Sequence, residues 1–248
     1  MIEAATSAPT LAPAGDAGLM LRFSGGISAA GFEQVFATLA RLRAARPPAW
    51  IDLVPGYASI LIVLDPVRTT PSAAAAIVRR LLRGPAAATK APRAAVRAGG
   101  ALDRPPRHIE IPVLYHGDVA PDLEALAAEK RLSVPALVDR HAAPTYRCHM
   151  LGFRPGFPFL GGLDPRLATP RLATPRLSVP SGSVAVAGQQ TGIYPNAGPG
   201  GWRIIGRTPL RLFDPARADP FLIHAGDQVV FVPIEPLHYS ALEERAAP

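Results

Sequence analysis

Between residues 150 and 210 proline and glycine recur too often for any long helix to run through. The stretch reads MLGFRPGFPFLGGLDPRLATPRLATPRLSVPSGSVAVAGQQTGIYPNAGPGGWRIIGRTPL. Each proline removes a backbone donor and fixes φ. Aromatic and β-branched residues stand between these breakers, at Phe153, Phe157, Phe159, Val184, Val186, Ile193, Tyr194, Trp202 and Ile204. A disordered Pro/Gly tract lacks such apolar anchors. The pattern therefore predicts short strands joined by tightly specified loops, the setting in which binding groups commonly sit on a rigid scaffold.

Within this stretch LATPR at 167–171 recurs at 172–176, followed by LSVPS at 177–181. Five residues are too few for a solenoid unit. A residue before proline is driven to extended backbone, so a stiff band presenting Arg171 and Arg176 is expected. The alternative is a covered edge strand with two solvated arginines, since proline and charge are common edge devices.

Upstream, LMLRF at 19–23 reads as a strand. Ser28 can cap a helix whose Phe32, Val35, Phe36, Leu39 and Leu42 share one face. Residues 50–54 and 59–64 read as strands joined around Pro55-Gly56. Pro71 opens a second helix through Leu82. This β-α-β-β-α order predicts a small α+β domain over residues 15–82, with helices on one sheet face. Residues 1–14 read as a flexible leader without a secretory h-region. Residues 83–107 read as a basic Pro/Ala/Gly linker. The strand HIEIPVLY then opens a second domain, 108–248. Helices are expected near 122–130 and 133–140, the latter capped by Ser133. From Tyr146 onward, short strands and frequent turns suit a closed or nearly closed β-barrel.

Composition narrows the function classes. Of 248 residues, 48% are hydrophobic and 18% charged, so the chain can bury a core. No uninterrupted apolar stretch is long enough for a membrane span. The formal charge is +7, and residues 83–107 account for five of it, with six basic residues against Asp103. A basic linker without interleaved aromatics does not read bases, so no nucleic-acid partner is expected. Cys148 is the only cysteine, which excludes an intrachain disulfide and fits a cytoplasmic protein. It reads as a small buried hydrophobe. His149 is its neighbour, but adjacent strand residues point to opposite faces, so Cys148 is not expected to be a nucleophile. The sequence holds no P-loop, no G-x-S-x-G elbow and no zinc spacing, and no metal site is expected in this chain.

Three long motifs occur in order: GFRPGFPFLGGLDPRLATPR (152–171), VPSGSVAVAGQQTGIYP (179–195) and PGGWRIIGRTPLRLFDP (199–215). With IPVLYHGDVAPDLEALA (111–127), His141, GDQVVFVPI (226–234) and, more weakly, GDAGLMLRF (15–23), they resemble one bacterial family. That family contains the B subunit of ATP-dependent 5-oxoprolinase, the kinase inhibitor KipI and proteins labelled allophanate hydrolase subunit 1. The resemblance spans nearly the whole chain after residue 15. It implies a cyclophilin-like barrel for the C-terminal domain, which periodicity alone does not distinguish from a sandwich. It also implies an ATP-dependent cyclic amide hydrolase subunit, inactive alone. The reaction converts 5-oxo-L-proline, ATP and water to L-glutamate, ADP and phosphate. The active site would be shared with an A subunit of the LamB/YcsF type and a C subunit, and ATP, with Mg2+, would act at the level of the complex. The alternative within the family is a KipI-like module that binds a sensor histidine kinase.

Opening an unreactive lactam through a phosphorylated oxygen needs arginine and N–H donors around developing negative charge. On the family motifs His141, Arg176 and Gln190 are the expected catalytic set. Phe153, Gly156, Phe157, Arg171, Ser183, Thr191, Tyr194, Trp202 and Arg207 are the expected substrate-binding set. Arginine binds anions bidentately, and the histidine pKa lies nearest neutrality. Other readings stand beside these: the aromatics as core, and His141 as the cap of a helix ending near Arg140. The family's histidine is followed by Thr or Ser, and here by Ala142, which removes one expected hydroxyl partner.

Overall fold

The computed structural model describes residues 8–24, 28–83 and 106–246. The chain divides into two compact units, residues 1–97 and 98–248. Most of the expected linker, residues 84–105, lies outside the described residues, as do residues 1–7 of the expected leader.

The first unit carries a four-stranded antiparallel sheet in the order β1-β2-β4-β3, with β1 at Thr10–Pro13, β2 at Gly18–Arg22, β3 at Trp50–Pro55 and β4 at Ser59–Leu64. Helix α1, Ala29–Ala44, starts where Ser28 accepts a hydrogen bond from the Gly31 amide at 3.0 Å. That bond satisfies one of the donors a helix start leaves open. Its Phe32, Val35, Leu39 and Leu42 are buried, as the spacing requires. Helix α2, Pro71–Arg83, buries Ala74, Ala75 and Val78. β4 alternates half-buried and buried side chains along its length, the signature of a strand with one covered face.

Strand β1 departs from the expected leader. Thr10 to Pro13 pair with Arg22 to Leu19 in β2. An open β2 edge offers unpaired N–H and C=O groups that recruit any adjacent extended segment. The four residues TLAP are too few, and too irregular in polarity, to announce a strand.

The second unit is built on a seven-stranded sheet, β12-β9-β10-β7-β6-β13-β5. The strands are β5 (His108–Val113), β6 (Tyr146–Leu151), β7 (Pro158–Gly161), β9 (Ser183–Ala187), β10 (Gln190–Ile193), β12 (Arg203–Arg207) and β13 (Gln228–Pro233). All pairs are antiparallel except β13 with β5. Just past the end of β5, Leu114 exchanges two backbone hydrogen bonds with Arg207 of β12, at 2.9 and 3.0 Å. The two outer strands thereby meet and the sheet curls into a nearly closed barrel, which removes its edges. Helices α3 (Leu123–Glu129) and α4 (Val134–Ala142) put Leu123, Leu126 and Leu137 into the core together with Ile111, Val113, Tyr146, Leu160, Val184, Ile193 and Phe231. Ser133 caps α4 through the Ala136 amide. Helix α5, Pro236–Ala246, follows β13.

Arg107 belongs to this unit rather than to a free linker. Its guanidinium holds Asp227 at 2.8 Å and the Leu222 carbonyl at 2.7 Å. The repeat segment is not one straight band either. Thr169 bridges Gly188, the chain bends at 173–174, and β8 (Arg176–Val179) then pairs with β11 (Gly198–Gly200).

Candidate functional site

Strand alternation gives the barrel sheet two buried faces, and the expected residues divide between them. Thr191 turns into the core; Gln190, Gly192 and Tyr194 turn the other way. On this outer face Phe157, Tyr194 and Trp202 join Val179, Ala185, Ala187 and Ile204 in a second apolar cluster. Phe157 packs edge-on against Tyr194 and Trp202, with centroids 5.2 and 5.4 Å apart. Such pairs add about 0.5–1.5 kcal/mol each beyond burial. Three of the expected pocket walls, Phe157, Tyr194 and Trp202, are therefore core residues at 1–5% exposure. The Tyr194 hydroxyl accepts the Trp202 amide, and burial pushes its pKa up. Gly156 serves packing: its φ is +83°, and an added Cβ would lie 2.8 Å from the Phe213 Cβ.

His141 is the largest correction. Its ring is fully buried in the barrel interior, 4.6 Å from the Phe231 ring. Nδ1 lies 2.7 Å from the Tyr115 hydroxyl, and Nε2 lies 2.8 Å from Thr191 Oγ1. The Thr191 hydroxyl donates its one proton to the Ala185 carbonyl at 3.0 Å, so it accepts from Nε2–H, and Nδ1 accepts from Tyr115. The histidine is thus a neutral imidazole with both nitrogens engaged. Desolvation drives its pKa down to about 3. With no exposed surface and no unused nitrogen it cannot reach a phosphate or carry a substrate proton. Nor does it cap α4: its carbonyl accepts from the Tyr146 hydroxyl at 2.7 Å. Tyr115 and Thr191 supply the hydroxyl contacts that Ala142 lacks.

Arg176 is also engaged within the fold. Its two terminal nitrogens grip Asp122 bidentately at 2.9 and 2.7 Å, while Asp122 accepts the Ile204 amide at 2.7 Å. One carboxylate thus ties α3, β8 and β12 together, and the arginine's fork is filled before any anion arrives. Arg207 donates to the Ser181 carbonyl at 2.9 Å and closes the barrel through its backbone. Ser183 is buried at the start of β9, its carbonyl accepting the Tyr194 amide. Cys148 is fully buried, and desolvation raises its thiol pKa far above the ordinary value; such a thiol is no nucleophile.

Two members of the expected set keep unused capacity. The buried Nε2 of Gln190 has no hydrogen-bond partner among the described residues. Gln190 pairs with Gly161 across the β10–β7 ladder, and the His149 ring lies over Gly161 where a side chain would otherwise stand. Burial, and then the charge of Arg147, lower the His149 pKa to about 4, which keeps this ring neutral at physiological pH. Arg171 is exposed and has no ion-pair partner among the described residues, yet lies close enough to Tyr194 to act on its hydroxyl. Phe153 is the one expected wall residue that reaches solvent. Its neighbour Arg154, which the motif pattern left without a role, donates to the carbonyls of Asn196, Ala197 and Pro199 at 3.1, 2.9 and 3.1 Å. Neither that clamp nor the Asp122 partnership carried a sequence signal, because both join residues more than 40 positions apart.

The geometry has close counterparts. Residues 9–223 match the family model described as carboxyltransferase domain, subdomain C and D. The chain is 38% identical over 239 residues to the 5-oxoprolinase B subunit of Bacillus subtilis (strain 168), covering 94% of this chain and 95% of that protein. The crystal structure of TTHA0988 superposes with a TM-score of 0.71 at 38% identity over 89% of this chain. This chain spans only 40% of the length of that protein. Urea amidolyase of Kluyveromyces lactis shares the fold, with a TM-score of 0.74 at 17% identity over 96% of this chain and 15% of that one. The family model matches most of the chain, and the chain belongs to the carboxyltransferase subdomain C and D family, with a near end-to-end similarity to a 5-oxoprolinase B subunit.

Proposed function

We propose that this chain is the B subunit of an ATP-dependent 5-oxoprolinase, completing a shared active site with an A subunit of the LamB/YcsF type and a C subunit. The observation that carries the reading is the match to a protein of that name along 95% of its length. In this reading the larger unit is a cyclophilin-like barrel and the smaller one a separate α+β domain. Residues 15–82 and 108–248 are their bounds, and the complex works in the cytoplasm.

The chain's own contribution is Gln190. A buried amide N–H without a partner is costly in an empty site and favourable once a carbonyl oxygen accepts from it. The lactam oxygen of 5-oxoproline is such an acceptor. It gains negative charge as the ring is activated, so a fixed donor there stabilises the transition state more than the ground state. Of the arginines expected to take phosphate, Arg176 is held by Asp122 and Arg207 by the Ser181 carbonyl, which leaves Arg171 as the one open member of the three, too few donors for a nucleotide's phosphates. We therefore assign ATP and its Mg2+ to the partner subunits.

Glutamate and ADP release is to be measured on the chain alone and on the purified three-subunit complex. Turnover by the complex only is the expected result. Gln190→Leu, which keeps the side-chain volume and removes the donor, is expected to lower kcat about 100-fold at unchanged melting temperature. A folded complex that releases no glutamate would sink the proposal. Full activity in Gln190→Leu would remove that residue's role alone.

A further inference from the structure

Phe153 stands out on three independent counts. It has φ +66°, one of two non-glycine residues among those described with positive φ. For an aromatic residue this backbone is strained, at a cost of about 1–3 kcal/mol that the surroundings must sustain. The residue is also 64% exposed, so the strain is not offset by burial. The loop is nevertheless held firmly: Arg154 grips three carbonyls of residues 196–199, and the Phe153 ring meets Phe157 and Tyr194 edge-on at 5.6 and 6.4 Å. A rigid aromatic knob is thus presented to solvent.

Charge lies beside the knob. The Arg154 guanidinium stands over the Phe153 ring, 5.1 Å from its centroid, and Arg171 lies near enough to Tyr194, which the ring meets edge-on, to act on its hydroxyl. Asp122 answers only Arg176, and Arg171 is left without an acidic partner among the described residues.

We infer that the Phe153–Arg171 surface is the docking site for a partner protein that presents an apolar pocket beside a carboxylate. An outward-standing ring cannot enclose a small ligand, whereas it can fill a pocket in another protein. Aromatic and arginine side chains are the groups that dominate such contacts. A preformed, clamped loop loses little freedom on binding. A second copy of this chain is disfavoured, because a two-fold contact would bring the same basic patch against itself. The inference rests on the reading of the chain as one subunit of a complex.

The test measures the Kd of the full chain for the purified A and C subunits by titration calorimetry, at 50 and 300 mM NaCl. Phe153→Gly suits the backbone, since glycine accepts positive φ without strain. It is expected to leave the melting temperature unchanged or higher while weakening binding of one subunit about 30-fold. Arg171→Glu is expected to weaken the same binding about tenfold at low salt and to abolish most of its salt dependence. Leu237→Ala, on α5, serves as the exposed apolar control. Tight binding that ignores both substitutions would place the interface elsewhere and leave the subunit reading intact. Self-association of the chain that Phe153→Gly abolishes would make the occupant a second copy, against the inference. No binding to either subunit, together with no turnover, would overturn both readings.

Discussion

Replacing His141 tests the buried network through its proton rather than through its contacts. The imidazole titrates near its ordinary 6.5 in the unfolded chain and at about 3 in the folded one. Between these values the unfolded state holds about one proton that the folded state refuses, so unfolding gains ground as pH falls. The contribution is fully present above pH 6.5. It declines by about 1.4 kcal/mol for each pH unit and is exhausted near pH 3, for a total of about 5 kcal/mol. The ring is fully buried, so no solvent discount applies. His149, lowered to about 4, adds a slope of the same sign. Wild type should therefore lose stability about twice as steeply between pH 6 and 5 as a His141→Gln variant. Urea unfolding followed by Trp202 fluorescence, in a Trp50→Phe background, isolates the barrel unit, since these are the chain's two tryptophans. At pH 7 the variant loses about 1–3 kcal/mol through weakened packing and hydrogen bonds, but the slope is the diagnostic quantity. Equal slopes in the two proteins would mean that His141 accepts a proton in the folded state, and the neutral network would be wrong.

A double-mutant cycle between Asp122→Asn and Arg176→Met should give a coupling of about 2 kcal/mol, below the range for fully buried pairs because Arg176 is 30% exposed. Folded Arg176→Met should keep its turnover in the complex; coupling under about 0.5 kcal/mol would make the pair incidental. Gly156→Ala should lower barrel stability by about 2–4 kcal/mol, since positive φ and the Phe213 clash act together. Gly117→Ala, at φ +59° in open space, should cost about 1 kcal/mol, and equal losses in thermal melts would show that the clash is relieved.

Local chemistry was readable wherever neighbours in sequence are neighbours in space. Ser28 and its helix, Ser133 and α4, and the alternating strand at residues 59–64 all follow from spacing within a few positions. Strand β1 escaped because its reason for existing is the open edge of β2, not its own residues. The site read less well for a related reason. A histidine and two arginines in long motifs look alike as sequence, and their meaning depends on distant partners. Thr191 lies 50 residues from His141, and Asp122 lies 54 from Arg176. Each partner turned an expected reactive group into a structural one. Gln190 and Arg171 kept their expected availability because no distant residue claims them among those described.

The parallel pairing of β5 with β13 has a consequence for biosynthesis. His108 opposes Gln228, 120 residues later, and the match runs six residues to Val113 and Pro233. The ribosome must therefore deliver nearly the entire second unit before β5 can find its neighbour. Until then the emerging barrel is an open sheet with its apolar interior uncovered, a state prone to sticking. Closing so long a loop also slows the final step. The first unit, whose strands all lie within residues 10–64, can meanwhile be complete. Early handling by chaperones should accordingly fall on the nascent barrel and end with the synthesis of β13.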